Sequence, residues 1–309
     1  KIANTEILSQ QAKEQASNSD LSPQEAILNS AKLIEQSQND QLHFFAPLHY
    51  SAAQDALTEA QDLLNSEAEN ALVLEQTFKV GSLLKSAQNN KNKVLSTLKK
   101  SLMHKQVLEE LGSPEILPEE FQDTVDDLKD LIKEIEGGFM DKALQGQAQL
   151  LSLMTEVEIA TLKKQHLMPA ESMIDKAESI DADEYAEKTF SQAQQTLESA
   201  TLFIEKNYKD RDAVRINGLD ALNAASHAYF IAQEATGLVE LKRADAENKA
   251  LYFESLLERV NKSLGIKNLN TMSLYDQSVL MAKNSQKSFF FCPTSISIHN
   301  NGNMLRQFL

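Results

Sequence analysis

Tryptophan is absent from this chain, and glycine and proline supply only nine and six of its 309 residues. So few backbone breakers, beside abundant Ala, Leu, Gln, Glu and Lys, exclude turn-rich β architectures and predict an all-α protein. Aromatic residues are also scarce, at 6%, so the core is expected to be thin. The single cysteine, Cys292, excludes an internal disulfide framework, and with phenylalanines beside it and no basic neighbour it is read as an inert thiol. Basic excess is missing too. A net charge of -15 argues against nucleic acid and anionic membrane surfaces as general partners. The longest uncharged run, Ser288 to Leu305, holds Pro293, His299, Asn300, Asn301 and Asn303, so no transmembrane segment is expected.

Residue patterns that carry chemistry are equally sparse. The histidines, His43, His49, His104, His166, His227 and His299, contain no pair four apart and no His-Glu-x-x-His, which argues against zinc. Asp126-Asp127 and Asp181-Ala182-Asp183 lack the glycine and distal glutamate of a calcium loop, and read as a solvated face and a helix N-cap. No glycine-rich phosphate loop occurs. The sequence therefore puts forward no catalytic residue, no cofactor or its binding site, and no metal site, and predicts a protein that is not an enzyme.

What the chain does contain is a pattern written twice. Tyr50, Ala53, Leu57, Ala60 and Leu64 return as Phe190, Ala193, Leu197, Ala200 and Ile204, both spaced 3, 4, 3, 4. That spacing is the seam of a helix packed along a narrow stripe. Upstream, Ile27, Leu28, Ala31 and Ile34 are matched with Met173, Ile174, Ala177 and Ile180, each leader opening at a proline, Pro23 or Pro169. Downstream, Val73, Gln76, Val80, Leu83 and Ala87 are matched with Val214, Asn217, Ala221, Ala224 and Ala228. Three ordered matches predict a duplicated three-helix unit, residues 25–90 and 171–232, within an elongated bundle of antiparallel coiled-coil hairpins.

The leader helix followed by Phe44-Phe45-Ala46-Pro47-Leu48-His49-Tyr50 and the ladder Ala53, Leu57, Ala60 resembles the alanine-rich helical domain of unknown function in Gram-negative cell-envelope proteins. The resemblance covers about residues 25 to 90 and, more weakly, 171 to 235, where Glu187 replaces the proline. It implies a structural role in the periplasm or at the outer membrane, with a lipoprotein signal ahead and a peptidoglycan-binding module behind. It brings no catalytic residues. Because the chain opens at Lys1, any signal peptide or lipid anchor is expected upstream of it; the tail is too short for the module, so either the module is absent or the chain is cut short.

In chain order, residues 1–22 read as a polar, fraying helical lead, 23–168 as the first repeat, 169–287 as the second and 288–309 as an irregular tail. A helix break is expected near Asn65, where Ser66 and Glu69 form a capping box. The segment about Phe139 to His166 is apolar on most sides, through Leu150, Met154, Val157 and Leu162, and is placed centrally. A single helix from Arg211 to Leu264 would span ~80 Å at ~1.5 Å per residue, predicting a rod. From Gln76 to Leu108 there are seven lysines and no acid, and from Glu109 to Gly138 eleven acids and two lysines. The turn Gly112 to Leu117 then predicts an antiparallel hairpin with Leu95, Leu98 and Leu102 facing Val125, Leu128, Leu131 and Ile132, paired by charge. These features together predict a non-catalytic scaffold, spacer or protein-binding module with a protein partner, which the resemblance places in the cell envelope. The alternative is a membrane-active, pore-forming type with a concealed apolar hairpin.

Overall fold

In the computed structural model, which describes residues 2–266 and 271–290, fourteen α-helices and no strand are found among the described residues. The chain divides into two compact units, Lys1–Ala232 and Gln233–Leu309.

The first unit is built from three passages that turn the same corner. The first comprises α2 (Pro23–Asn39), α3 (Leu42–Phe45), α4 (Pro47–Asn65) and α5 (Asn70–Thr97), preceded by α1 (Thr5–Ser17). The second comprises α6 (Lys99–Glu110), α7 (Ser113–Ile116), α8 (Pro118–Glu136) and α9 (Met140–Glu178). The third runs from the end of α9 through α10 (Ala182–Tyr185) and α11 (Glu187–Asn207) into α12 (Arg211–Val239). At each corner the leader helix ends in a left-handed residue, Gln41 (φ 57°), Gly112 (φ 81°) or Asp181 (φ 55°). One helical turn follows, sealed by the bonds Ala46 N–H to Leu42 O, Leu117 N–H to Ser113 O and Ala186 N–H to Ala182 O at 2.8, 2.8 and 2.9 Å. Its first residue, Leu42, Ser113 or Ala182, is buried, which pins the corner to the core.

Alignment on those corners brings a third stripe of the same spacing into view. Phe121, Thr124, Leu128, Leu131 and Ile135 occupy α8 at the 3, 4, 3, 4 spacing of the other two stripes. Ala53, Thr124 and Ala193 are all fully buried, as are Val73, Ala143 and Val214 on the helices that follow. The same alignment corrects the leader match. It sets Ser30 opposite Ser101 and Ala170, all buried, and Ile34 opposite Ile174, six residues away from the register proposed above. Leu28, which that register paired with Ile174, is 56% exposed.

Several boundaries fall where the sequence placed them. Helix α2 runs Pro23–Asn39, with Ser22 Oγ accepting the Glu25 N–H. The break after Asn65 is present, but Glu69 forms no side-chain cap and the Ser66 hydroxyl donates to Leu63 O instead. Pro169 starts nothing: it lies inside α9, which passes through it because Leu167 and Ala170 on either side are held in the core. Loss of one helical hydrogen bond, ~3 kcal/mol in an exposed interior, is offset by that burial. In the preceding passage the equivalent of Leu167, buried Leu98 (φ -100°, ψ 20°), separates α5 from α6. The N-terminal segment docks: α1 packs on α5, buries Ala12 and Ala16, and Ala3 N–H bonds to Glu136 O at 3.0 Å.

Helix α9 is central as expected, touching α6, α7, α8 and α11. Leu98, Leu128 and Ile132 share one core cluster with Val94, Leu108 and Met154, and Leu102 and Leu131 pack at its edge. Leu95 does not join them and is 42% exposed. The charge blocks do not pair across the hairpin. Lys105 pairs with Glu109, Lys129 with Asp126 and Lys133 with Asp130, each along its own helix, where geometry already places i, i+3 and i, i+4 side chains together.

The second unit holds a 3₁₀ turn, Arg243–Asp245, then α13 (Ala246–Ser263) and α14 (Leu274–Phe290), which pack together. The single helix expected from Arg211 to Leu264, with its 80 Å span, is not formed: α12 stops at Val239. Helix α14 continues to Phe290, into the segment read as irregular tail; Cys292, His299 and the rest of that tail lie outside the described residues.

Leu128→Ala is expected to cost about 2–5 kcal/mol through a core cavity, and Leu95→Ala less than ~0.5 kcal/mol. Lys99→Glu with Lys100→Glu should change urea stability by less than ~0.5 kcal/mol, equally at low salt and near 1 M, since neither lysine has an ion-pair partner among the described residues. A large salt-dependent loss would restore charge as the agent that pairs the helices.

Candidate functional site

Two acids sit on apolar stripes where the helical period leaves no room for solvation. Glu136 follows Leu128 and Ile132 on α8, and Glu158 follows Met154 on α9, each four residues after its neighbour. They are 2% and 5% exposed. A carboxylate there must find several donors or be neutralised.

Glu136 finds them at the start of α4. Ala46, the N-cap residue of that helix, has no side-chain acceptor, so the first N–H groups are open. Glu136 Oε2 accepts Leu48 N–H at 3.0 Å and Oε1 accepts His49 N–H at 2.9 Å. Oε1 also lies 2.6 Å from His49 Nδ1, and His49 Nε2 lies 3.0 Å from Ser86 Oγ on α5. With the carboxylate acting as acceptor, Nδ1 carries the donated hydrogen, and Nε2 is left to share a hydrogen bond with the Ser86 hydroxyl. Ser86, His49 and Glu136 thus stand in the order of nucleophile, base and orienting acid. Ser86 lies in the interior of α5, where the neighbouring backbone N–H groups are spent on helical bonds.

Glu158 lies under an open groove of about 620 Å³ between α6, α9 and the start of α12. Its Oε2 meets His104 Nε2 at 2.7 Å and its Oε1 receives the Arg211 guanidinium, which also donates to Tyr208 O at 2.8 Å. Burial pushes the Glu158 carboxyl up, but the His104 hydrogen bond and the Arg211 charge outweigh it, leaving the group below its ordinary 4.5. Met103, Val107 and Leu151 form the apolar wall, and Met103 is 57% exposed. Close by, His166 is held below its ordinary 6.5 by burial, then by Arg211 and Arg215. Gly218 permits that packing, since a Cβ there would lie 2.8 Å from His166 O.

The remaining sequence-stated candidates are scattered. His43 and His227 are exposed, and no group of three or more metal-type ligands occurs among the described residues. Asp126 bonds Lys129 and Gln122 as a surface acid; Asp181 is the N-cap of α10, though its side chain caps nothing. Phe45 enters the core and Phe44 packs at its edge, so the aromatic entry clamps the corner. No family model, curated protein or solved structure matches this chain.

Glu158 and His166 both have lowered values in the fold, so their stabilising contributions are present above the ordinary values and lost on acidification. For His166 the loss begins below about pH 6.5, and for Glu158 below about pH 4.5. His166→Gln should flatten the first part of the stability curve and Glu158→Gln the second, in urea titrations from pH 7 to 3.5. Unchanged curves would show that neither environment is as tight as its contacts indicate.

Proposed function

We propose that this protein is a non-catalytic helical scaffold of the Gram-negative cell envelope that holds a protein partner in the groove above Glu158. The observation that carries the binding role is the pairing of an apolar, exposed wall with a polar floor whose charges are already matched. His104 and Arg211 are committed to Glu158, so the floor offers orientation while Met103, Val107 and Leu151 offer area. A helix with one apolar face suits such a groove. The envelope location rests on the resemblance of residues 25–90.

We read the three passages as copies of one unit, two of which the sequence pattern had revealed. A row of like units supports a spacer role, because each added passage lengthens the scaffold without new chemistry. The membrane-active alternative has less to recommend it: among the described residues no helix is long and apolar enough to cross a membrane.

A photo-crosslinking residue at Met103, in cells producing the full chain, should yield a discrete protein adduct in the envelope fraction that the same residue at exposed Leu28 does not. Identical adducts from both positions, or none from Met103, would overturn the groove assignment. Dye-loaded liposomes should stay intact with the purified chain, and robust leakage would overturn the scaffold reading itself.

A further inference from the structure

We infer that the guest of the groove above Glu158 is a short amphipathic helix of a partner protein, acidic in its first turn, that runs antiparallel to α9 and sets its N-terminal end beside Lys209. This rests on the binding role proposed above and adds the partner's chemistry and direction.

The molecule already holds one helix in such a place. In the first passage α1 lies on α5. Its C-terminal end sits at the start of α5, where Ala16 clusters with Leu74 and Phe78 and with Ala26 of the leader α2. Its N-terminal end lies further along, where Ile2 and Leu8 pack against the cluster that holds Val80, Leu84 and Ala87. There Ala3 N–H donates to Glu136 O at 3.0 Å, beside the Glu136 carboxylate that reaches Ser86 of α5 through His49, and a Cβ at Gly138 would lie 3.5 Å from that of Ala3. Helix α1 is therefore antiparallel to α5. Its berth has three sides: the leader α2, the long helix α5, and the turn 137–139 that leads into the next long helix, α9. In the second passage the same three sides are α6, α9 and the turn 208–210 that leads into α12. They line the groove with Met103 and Val107, with Leu151 and Glu158, and with Tyr208 and Lys209 respectively. The first berth is filled by the N-terminal helix; the second is open along Met103, which is 57% exposed.

Charge sets the same direction. His104 and Arg211 are spent on Glu158, and Gln106 holds Glu110. The cation left on the groove is Lys209, which stands over the Tyr208 ring and has no ion-pair partner among the described residues. A helix laid as α1 is laid brings its N-terminus to that end, and an acid in its first turn meets both Lys209 and the positive end of its own dipole. Helix α1 carries that mark itself, with Glu6 in its first turn. An α1 from a second copy would have to leave its own berth, where Ala12 is fully buried and Ala3 is bonded, so the guest belongs to another protein.

The test titrates the full chain with three alanine-rich peptides, each 13 residues long like α1, stapled as helices and sharing a leucine seam. One has glutamate in its first turn, one has glutamine there, and one has glutamate in its last turn; each carries a nitroxide at its N-terminal end. Methyl NMR reads the site and registers weak affinities. The peptide with glutamate in its first turn should shift Met103, Val107 and Leu151, and its nitroxide should broaden Val214, near the start of α12, more than Leu144, near the start of α9. It should bind about three- to tenfold more tightly than the other two. Lys209→Gln should erase that margin without weakening the glutamine peptide, and Met103→Glu, at an exposed position, should weaken all three. Equal binding of the three peptides, no shift at the groove methyls, or broadening of Leu144 in place of Val214 would overturn the inference. So would self-association of the full chain that Met103→Glu abolishes, since the groove would then receive a second copy. A discrete Met103 crosslink beside any of these results would leave the groove assigned and only its guest wrong.

Discussion

One buried carboxylate ties the first unit together. Glu136 ends α8, yet its side chain holds the first two free N–H groups of α4 and the ring of His49, His49 holds Ser86 on α5, and its carbonyl holds the N-terminal Ala3. An uncompensated carboxylate at 2% exposure would cost several kcal/mol, so these partners are obligatory for burial. The helix N-terminus adds its own attraction for a negative charge. Apolar contact alone would permit α8 to slide along α4 and α5. Four directional contacts from one residue fix the register.

The corners perform the same service for the long helices. A left-handed residue followed by one sealed turn redirects the chain in a fixed way, and the buried residue that starts each turn keeps the corner from rotating outward. For Gln41 and Asp181 the left-handed conformation costs ~1–2 kcal/mol each, a strain that only the surrounding packing can hold. Gly112 meets the same demand freely. After each corner, small residues such as Ala53 and Ala193 let the next helix approach closely.

This contrast explains what the sequence showed and what it hid. The turn from Gly112 to Leu117 was legible, because its glycine announces backbone geometry. Gln41 and Asp181 carry no such mark. The stripe on α8 carries no such mark either, because Thr124 and Leu131 stand where the other two stripes have alanine, and a pattern defined by small knobs passes over a larger one of the same spacing. Pro169 misled in the opposite way, since proline is a start signal only where tertiary contacts do not override it. Helix type and most boundaries follow from local composition. Register between helices does not.

Charge was the least legible property, for a geometric reason. Blocks of opposite sign suggested pairing between helices, but lysines and acids three or four apart on one helix reach each other at little entropic cost, and do so first. The acids that matter to the fold are those off the charged face. Glu136 and Glu158 fall in phase with Leu128, Ile132 and Met154, and phase with an apolar stripe is the mark by which a sequence alone could have singled them out. An acid in that phase cannot be a solvated surface charge. It must be matched from another helix, so each one in a helical chain of this kind points to a contact distant in sequence: Glu136 to His49, Glu158 to Arg211.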